Sequence, residues 1–185
     1  MATREVELKL ACDADDLEVR LDRAKFEYVG RYRQIDRYFD PPHRDLAVTD
    51  EALRMRTVED LETGAVEHRL TYKGPRADGE GAKARLERTA VVDSATAVGE
   101  ILRALDFDVA GEVRKVRERY ERDDTVVALD SVEGLGSFVE LERVVRVDEV
   151  ASAREELAST ADALGLGDAD PVERTYLALV LGDES

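Results

Sequence analysis

Residues 4–10, Arg-Glu-Val-Glu-Leu-Lys-Leu, alternate strictly between charged and apolar. That is the period of a strand with two unlike faces. Leu17, Leu21, Ala24 and Phe26/Tyr28 then fall roughly on one face of a helix over 14–28, opened by the capping residue Asp13 and ended by Gly30. Further strands are predicted over 31–39, 52–59, 66–73 and 84–92, and a second helix over 94–105 with Ser94 as its N-cap. Strands resume over 112–122, 125–132 and 137–147. The spacing of Val150, Ala153, Leu157, Ala161 and Leu164 predicts a third helix over 149–164, and 171–181 reads as a short apolar closing helix.

About eight strands interrupted by helices, without regular βαβ alternation, point to an α+β fold with mostly antiparallel pairing. No interdomain linker interrupts residues 1–185, which are read as a single domain. Segment 73–83 is a Gly-rich hairpin connection and 40–45 a Pro-Pro turn. Val6-Glu-Leu-Lys-Leu10 resembles Val139-Glu-Leu-Glu-Arg143, and 31–39 resembles 112–120. A barrel of related halves would produce such echoes, and so would chance in a charge-rich chain.

Composition changes the picture in two ways. The 185 residues carry 43 acidic and 27 basic side chains, a net charge of −16, the wrong sign for a wholesale binder of nucleic acid or anionic membrane. Lysine occurs only at 9, 25, 73, 83 and 115. Heavy Asp and Glu with scarce Lys suits a cytoplasm at very high salt, where screening removes much of the self-repulsion. Cys12 is the sole cysteine, which excludes an intrachain disulfide and a cysteine-based zinc site, and His43 and His68 offer little for a histidine metal cluster. The start shows no signal-peptide pattern and no stretch is long and apolar enough to span a membrane, so a cytoplasmic location is expected.

Along the strands polar, mostly charged residues recur at alternate positions. They are Glu5, Glu7 and Lys9; Gln34, Asp36, Tyr38 and Asp40; Arg54 and Arg56; Arg69 and Lys73; Arg85 and Glu87; Lys115, Arg117 and Arg119; Asp130; Glu140 and Glu142. Any one such strand fits a sheet with a solvated face. The set suggests more. Three of five lysines lie on these strands, both charge signs recur, and three amphipathic helices could cover the apolar faces. A closed barrel with its helices outside would then enclose a polar interior. Arg forks and Lys point charges neutralise phosphate oxygens, and carboxylates hold Mg²⁺ or Mn²⁺ that bridges to them.

Glu5-Val-Glu7-Leu-Lys9 resembles the ExExK signature of the CYTH superfamily, the triphosphate tunnel metalloenzymes. The ordered succession adds specificity: Gln34-Ile-Asp36-Arg-Tyr38-Phe-Asp40, Leu53-Arg54-Met-Arg56, Leu70-Thr-Tyr-Lys73-Gly-Pro75, Arg85-Leu-Glu87, Lys115-Val-Arg117, Leu129-Asp130-Ser-Val-Glu133-Gly-Leu-Gly136-Ser-Phe138-Val-Glu140-Leu-Glu142 and Arg174-Thr-Tyr176. The Tyr-Lys-Gly-Pro and Glu-Gly-Leu-Gly segments resemble the class IV adenylyl cyclase-like branch.

The resemblance implies an eight-stranded antiparallel closed barrel, a tunnel, with helices on the outside. It implies metal ligation by Glu5, Glu7, Glu140 and Glu142, with Asp130 as a further ligand. Substrate phosphates would meet Lys9, Arg54, Arg56, Lys73, Arg85, Lys115 and Arg117, and catalysis would centre on Glu7, Lys73 and Glu140. The expected cofactor is Mg²⁺ or Mn²⁺. The expected partner is ATP, thiamine triphosphate or inorganic triphosphate, with no nucleic acid or membrane, and the family suggests a homodimer. Three activities stay open: conversion of ATP to cyclic AMP and pyrophosphate, hydrolysis of a terminal phosphate, and non-catalytic triphosphate or polyphosphate binding. Tyr38, Tyr176, His43, His68 and Cys12 are read as packing or incidental residues.

Overall fold

A computed structural model describes residues 3–12, 16–77 and 84–182, with side chains over 5–12, 16–75 and 87–182. The expected Asp13 cap, residues 78–83 of the Gly-rich connection and the Arg85 side chain lie outside the described residues. The elements in chain order are β1 (Thr3–Ala11), α1 (Leu17–Arg23), β2 (Glu27–Asp40), β3 (Ala52–Asp60), β4 (Val66–Ala77), β5 (Ala84–Val92), α2 (Ala95–Ala104), β6 (Asp108–Arg122), β7 (Thr125–Val132), β8 (Gly136–Arg146), α3 (Val150–Ala163), β9 (Asp170–Pro171) and α4 (Tyr176–Leu181). The fold is α+β, an antiparallel sheet with four helices, as the strand pattern indicates.

The strands run in the order β5-β4-β3-β2-β6-β7-β8-β1-β9. The expected ring of eight is therefore, among the described residues, an open order of nine. The ninth strand is only two residues long and pairs with β1 through Leu10↔Pro171 and Ala11↔Asp170. It is hidden in what reads as the closing helix, and Pro171, lacking an N–H, suits a sheet edge. The first helix is also shorter than its apolar spacing suggests. Lys25 takes a left-handed conformation at φ 65°, and the Phe26 N–H returns to the Leu21 carbonyl at 3.0 Å. The chain therefore turns before Gly30, and β2 begins at Glu27.

The chain forms two compact units. The first comprises residues 1–31 and 116–175. Here β1 pairs with β8 in the register Glu7↔Glu142, Leu8↔Leu141 and Lys9↔Glu140, and β8 pairs with β7 through Ala128↔Glu140 and Asp130↔Phe138. Partners directly opposite share a face. Val6, Leu10, Val139, Leu141 and Val145 are buried, as are Val150, Ala153, Leu157 and Ala161 of α3, which packs against β1 and β8. Arg20 of α1 donates to the carbonyls of Leu164 at 2.8 Å and Gly165 at 3.3 Å, satisfying carbonyls left open at the α3 C-terminus.

The second unit comprises residues 32–115 and 176–185. It pairs β2 with β3 through Asp36↔Arg56 and Tyr38↔Arg54, β3 with β4 through Arg54↔Thr71 and Arg56↔Arg69, and β4 with β5 through Thr71↔Thr89 and Lys73↔Glu87. Ser94 caps α2 by accepting from the Ala97 N–H at 3.1 Å, as its sequence position suggests. Phe39, Met55 and Leu102 form the core of this unit, joined by Leu53, Leu70, Val92, Val98 and Phe107. Period-2 alternation thus sends the Leu and Met side chains of β3 and β4 toward α2, and their Arg, Thr and Lys side chains to the other face. The ladder shifts register after Lys73, at Gly74-Pro75, where the proline cannot donate. Among the described residues no helix is long and apolar enough to cross a membrane.

Candidate functional site

The charged face of the first unit is built on β1, β6, β7 and β8. Glu5 and Glu7 stand two residues apart on β1, and Glu142 stands opposite Glu7 on β8. One carboxylate oxygen from each of the three lies within 4.8 Å of the others. Like charges directly opposite on a sheet are destabilising unless a cation lies among them. The Glu142 side chain is 20% exposed. Burial pushes its carboxyl up to about 7, with Arg117 opposing the rise and Glu5, Glu140 and Glu7 adding to it.

The other two expected metal carboxylates are placed differently. Arg117 forks onto Asp130, Nε to Oδ1 at 2.7 Å and a terminal nitrogen to Oδ2 at 2.6 Å. It also donates to Glu140 and lies 3.5 Å from Glu142. The Asp130 side chain is 0% exposed. Asp130 and Glu140 therefore anchor a guanidinium, while Glu5, Glu7 and Glu142 gather at a separate point. Lys9 bridges Glu7 at 3.2 Å and Glu140 at 3.4 Å and donates to the Arg174 carbonyl at 3.4 Å. Burial alone would lower the Lys9 and Arg117 pKa values; Glu7 and Glu140 hold Lys9 above its usual value, and Asp130 with Glu140 and Glu142 holds Arg117 well above its own. Five carboxylates against two cations leave this face with a formal charge of about −3. An oxygen-rich, acidic cluster of this kind has the donor set that Mg²⁺ and Mn²⁺ favour.

The charged face of the second unit has the opposite balance. Asp36 is buried and takes a fork from Arg56, with both contacts at 2.6 Å. Arg54 lies 3.7 Å away. Burial would raise the Asp36 carboxyl, but the Arg56 hydrogen bond and the charges of Arg56, Arg54 and Lys115 hold it below the usual carboxylate value. One carboxylate is thus shared among three cations. Lys73 pairs with Glu87 at 2.7 Å. Tyr38 lies in the field of Asp36, Arg54 and Arg56, where burial and Asp36 together push its hydroxyl pKa up. Counting Arg54, Arg56, Lys73 and Lys115 against Asp36 and Glu87, this face carries about +2, the sign that attracts polyphosphate.

Two features were not visible in the sequence. The Lys115 ammonium sits over the Tyr176 ring, 4.8 Å from its centroid. Glu51, in the connection after the Pro-Pro turn, accepts from Thr49 at 2.6 Å, from Arg44 at 2.8 Å and from the Tyr72 hydroxyl. Glu51 thereby ties that connection to β4. The adjacent acid run Asp50-Glu51 gives a weak hint of this latch. His68 is occupied by a 2.9 Å contact with the Thr57 hydroxyl.

Comparison with known proteins bears on both faces. The model of the CYTH domain matches residues 3–176. A Methanocaldococcus jannaschii protein with the provisional name adenylate cyclase MJ0240 is 33% identical over 177 residues, covering 95% of this chain and 97% of its own length. Among solved structures, the PH1819 protein of Pyrococcus horikoshii is 37% identical, with a TM-score of 0.83, covering 97% of this chain and 99% of that one. HpAC1 of Hippeastrum, provisionally named an adenylyl cyclase and described as revealing a dominant triphosphatase activity, shares the fold at 20% identity and a TM-score of 0.69, covering 98% and 96% of the two chains. The family match spans both charged faces, from the β1 carboxylates to Tyr176: the chain belongs to the CYTH domain family.

Proposed function

We propose that this protein is a cytoplasmic, metal-dependent enzyme acting on a triphosphate, and that its reaction is the conversion of ATP to cyclic AMP and pyrophosphate. The observation that carries the reading is the convergence of Glu5, Glu7 and Glu142 within 4.8 Å in a chain that also presents a cationic strand face. Under this reading Glu5, Glu7 and Glu142 hold the divalent ion. When bound, Mg²⁺ or Mn²⁺ supplies Lewis-acid stabilisation of phosphate charge and lowers the pKa of an oxygen nucleophile.

The remaining work falls to the chain's own side chains. Glu140 and Asp130 fix Arg117, and Glu140 with Glu7 fixes Lys9, so neither cation must be ordered during reaction. Arg54, Arg56, Lys73, Lys115 and Arg85 neutralise phosphate oxygens; Arg offers planar forks, Lys point charges. In the cyclase reaction the ribose 3′ oxygen bonds to the α-phosphorus, its proton is lost, and the bond to pyrophosphate breaks. Catalysis of that kind is positioning and charge stabilisation.

The second reading is a triphosphatase, in which water attacks the terminal phosphorus and orthophosphate leaves. The description of HpAC1 motivates it, although that protein shares only the fold. Both readings use the same carboxylates and cations. They differ in which phosphorus lies beside the nucleophile. Incubation at high salt with ATP, thiamine triphosphate and inorganic triphosphate, with Mg²⁺ or Mn²⁺, separates them. Cyclic AMP supports the cyclase, free phosphate the hydrolase, and saturable binding without either product a sensing module.

A further inference from the structure

On the charged face of the second unit, β2 presents Gln34, Asp36 and Tyr38 at alternate positions, opposite Val58, Arg56 and Arg54 of β3. Asp36 and Tyr38 have polar partners there. Asp36 takes the Arg56 fork, and Tyr38 hydrogen-bonds with Arg54. Gln34 faces a valine, which can neither donate nor accept. It is 7% exposed, and its side-chain oxygen, Oε1, is buried without a hydrogen-bond partner among the described residues. A buried amide oxygen is nearly always paired, and leaving it unpaired is destabilising.

A second buried atom on this face has the complementary need. Arg54 reaches Asp36 at 3.7 Å, yet its Nε, a donor, is buried without a partner among the described residues. Arg54 stands opposite Tyr38, four residues along β2 from Gln34, so the two rows lie about 13 Å apart. The rows also differ in charge. The Asp36 row continues to Arg56 and Arg69, whereas the Gln34 row continues to Val58 and Glu67, with no cation to attract phosphate. Ionised phosphate oxygens accept hydrogen bonds and cannot donate them. A bare triphosphate therefore meets the need of Arg54 and not that of Gln34. A nucleoside triphosphate has acceptors at its phosphate end, and ribose O–H and base N–H donors at the other.

We propose that Gln34 is a specificity-determining residue: its side-chain oxygen accepts a hydrogen bond from an N–H or O–H of the nucleoside, selecting a nucleoside triphosphate over a bare one. This rests on the triphosphate reading above. The test measures affinity for ATP and for inorganic triphosphate by calorimetry, at high salt with Mg²⁺, in wild type and Q34M. Methionine keeps the length of the side chain and removes the amide. Q34M should weaken ATP binding about ten- to a hundredfold, because a nucleoside donor is left unpaired. Its triphosphate affinity should stay within about twofold of wild type. Purine riboside triphosphate lacks the 6-amino group, and the 2′- and 3′-deoxy nucleotides each lack one hydroxyl. The analogue against which Q34M shows no defect identifies the donor as amine or hydroxyl, and either upholds the proposal.

Equal losses for ATP and triphosphate, undiminished ATP affinity in Q34M, or a defect that persists with every analogue overturns the proposal and leaves the triphosphate reading standing. Failure of the wild type to bind any triphosphate overturns that reading and this proposal with it. If Q34M does not fold, NMR of the wild type decides. Gln34 side-chain amide signals that shift with ATP and Mg²⁺, and not with Mg²⁺ alone or with inorganic triphosphate and Mg²⁺, uphold the proposal. Signals that move equally in all three cases, or in none, overturn it.

Discussion

Glu7 of β1 and Glu142 of β8 stand directly opposite each other, and each brings a carboxylate oxygen within 4.8 Å of the other and of Glu5. Antiparallel pairing normally places unlike or neutral partners at such positions. Nearby Lys9 and Arg117 offset part of the repulsion. The remainder is a standing electrostatic cost that a divalent cation would remove.

Replacement of Glu7 by Gln should therefore act in opposite directions on activity and on stability. Metal-dependent turnover should fall by about 100-fold or more, as when one transition-state charge stabiliser is removed. The metal-free protein should melt at the same or a higher temperature, because one member of the repelling group is neutral. Steady-state kinetics and thermal unfolding in chelator, run side by side, check both.

Glu142 sets a pH dependence. Its folded-state value of about 7 lies above the ordinary 4.5, so between those values the folded protein binds more protons than the unfolded chain. The contribution of this group is fully present below pH 4.5 and is lost as pH rises toward 7. Metal-free melting temperature should decline over that window, and E142Q should flatten the decline. Saturating Mn²⁺ should reverse the trend, since metal and proton compete for the same oxygens.

Asp130 is a different kind of acid. It is wholly buried and forks with Arg117. Its removal in D130A leaves a buried guanidinium with one anchor fewer, and should cost about 3–5 kcal/mol in denaturant unfolding. D130N keeps the shape and should cost less. Equal costs for the two variants would mean that the charge of Asp130 contributes nothing.

The Arg56–Asp36 fork predicts an acid limit. Asp36 is held below its usual 3.8, so its contribution is present above pH 3.8 and lost as pH falls through the lower folded value. Lysine cannot reproduce the fork. R56K should move the midpoint of acid unfolding upward and weaken triphosphate binding, while leaving melting at pH 7 to 8 with only a modest loss.

The strands were legible because charged and apolar residues alternate along much of their length, strictly so over residues 4–10, and the helices α2 and α3 because their apolar spacing is regular. Where the reading failed, local backbone conformation overrode pattern. Lys25 turns left-handed and cuts the first helix short, and β9 is too short to show any period. The acidic and basic residues of the charged faces were legible as types in an ordered succession. Their partners were not. The Arg117 contacts to Asp130 and Glu140 span 13 and 23 residues and depend on the relative positions of three strands, which no single-strand pattern encodes. The stacking of Tyr176 on Lys115 was missed because a lone aromatic near an apolar helix reads as core.

The most direct test is a Mn²⁺ titration followed by electron paramagnetic resonance, on wild type and on an E5Q/E7Q/E142Q variant, with ATP turnover measured on the same samples. The account predicts saturable Mn²⁺ binding to the wild type, its loss in the variant, and product formation that rises and falls with the bound metal. Unchanged binding in the variant, or turnover of ATP at the wild-type rate without those three carboxylates, would contradict it.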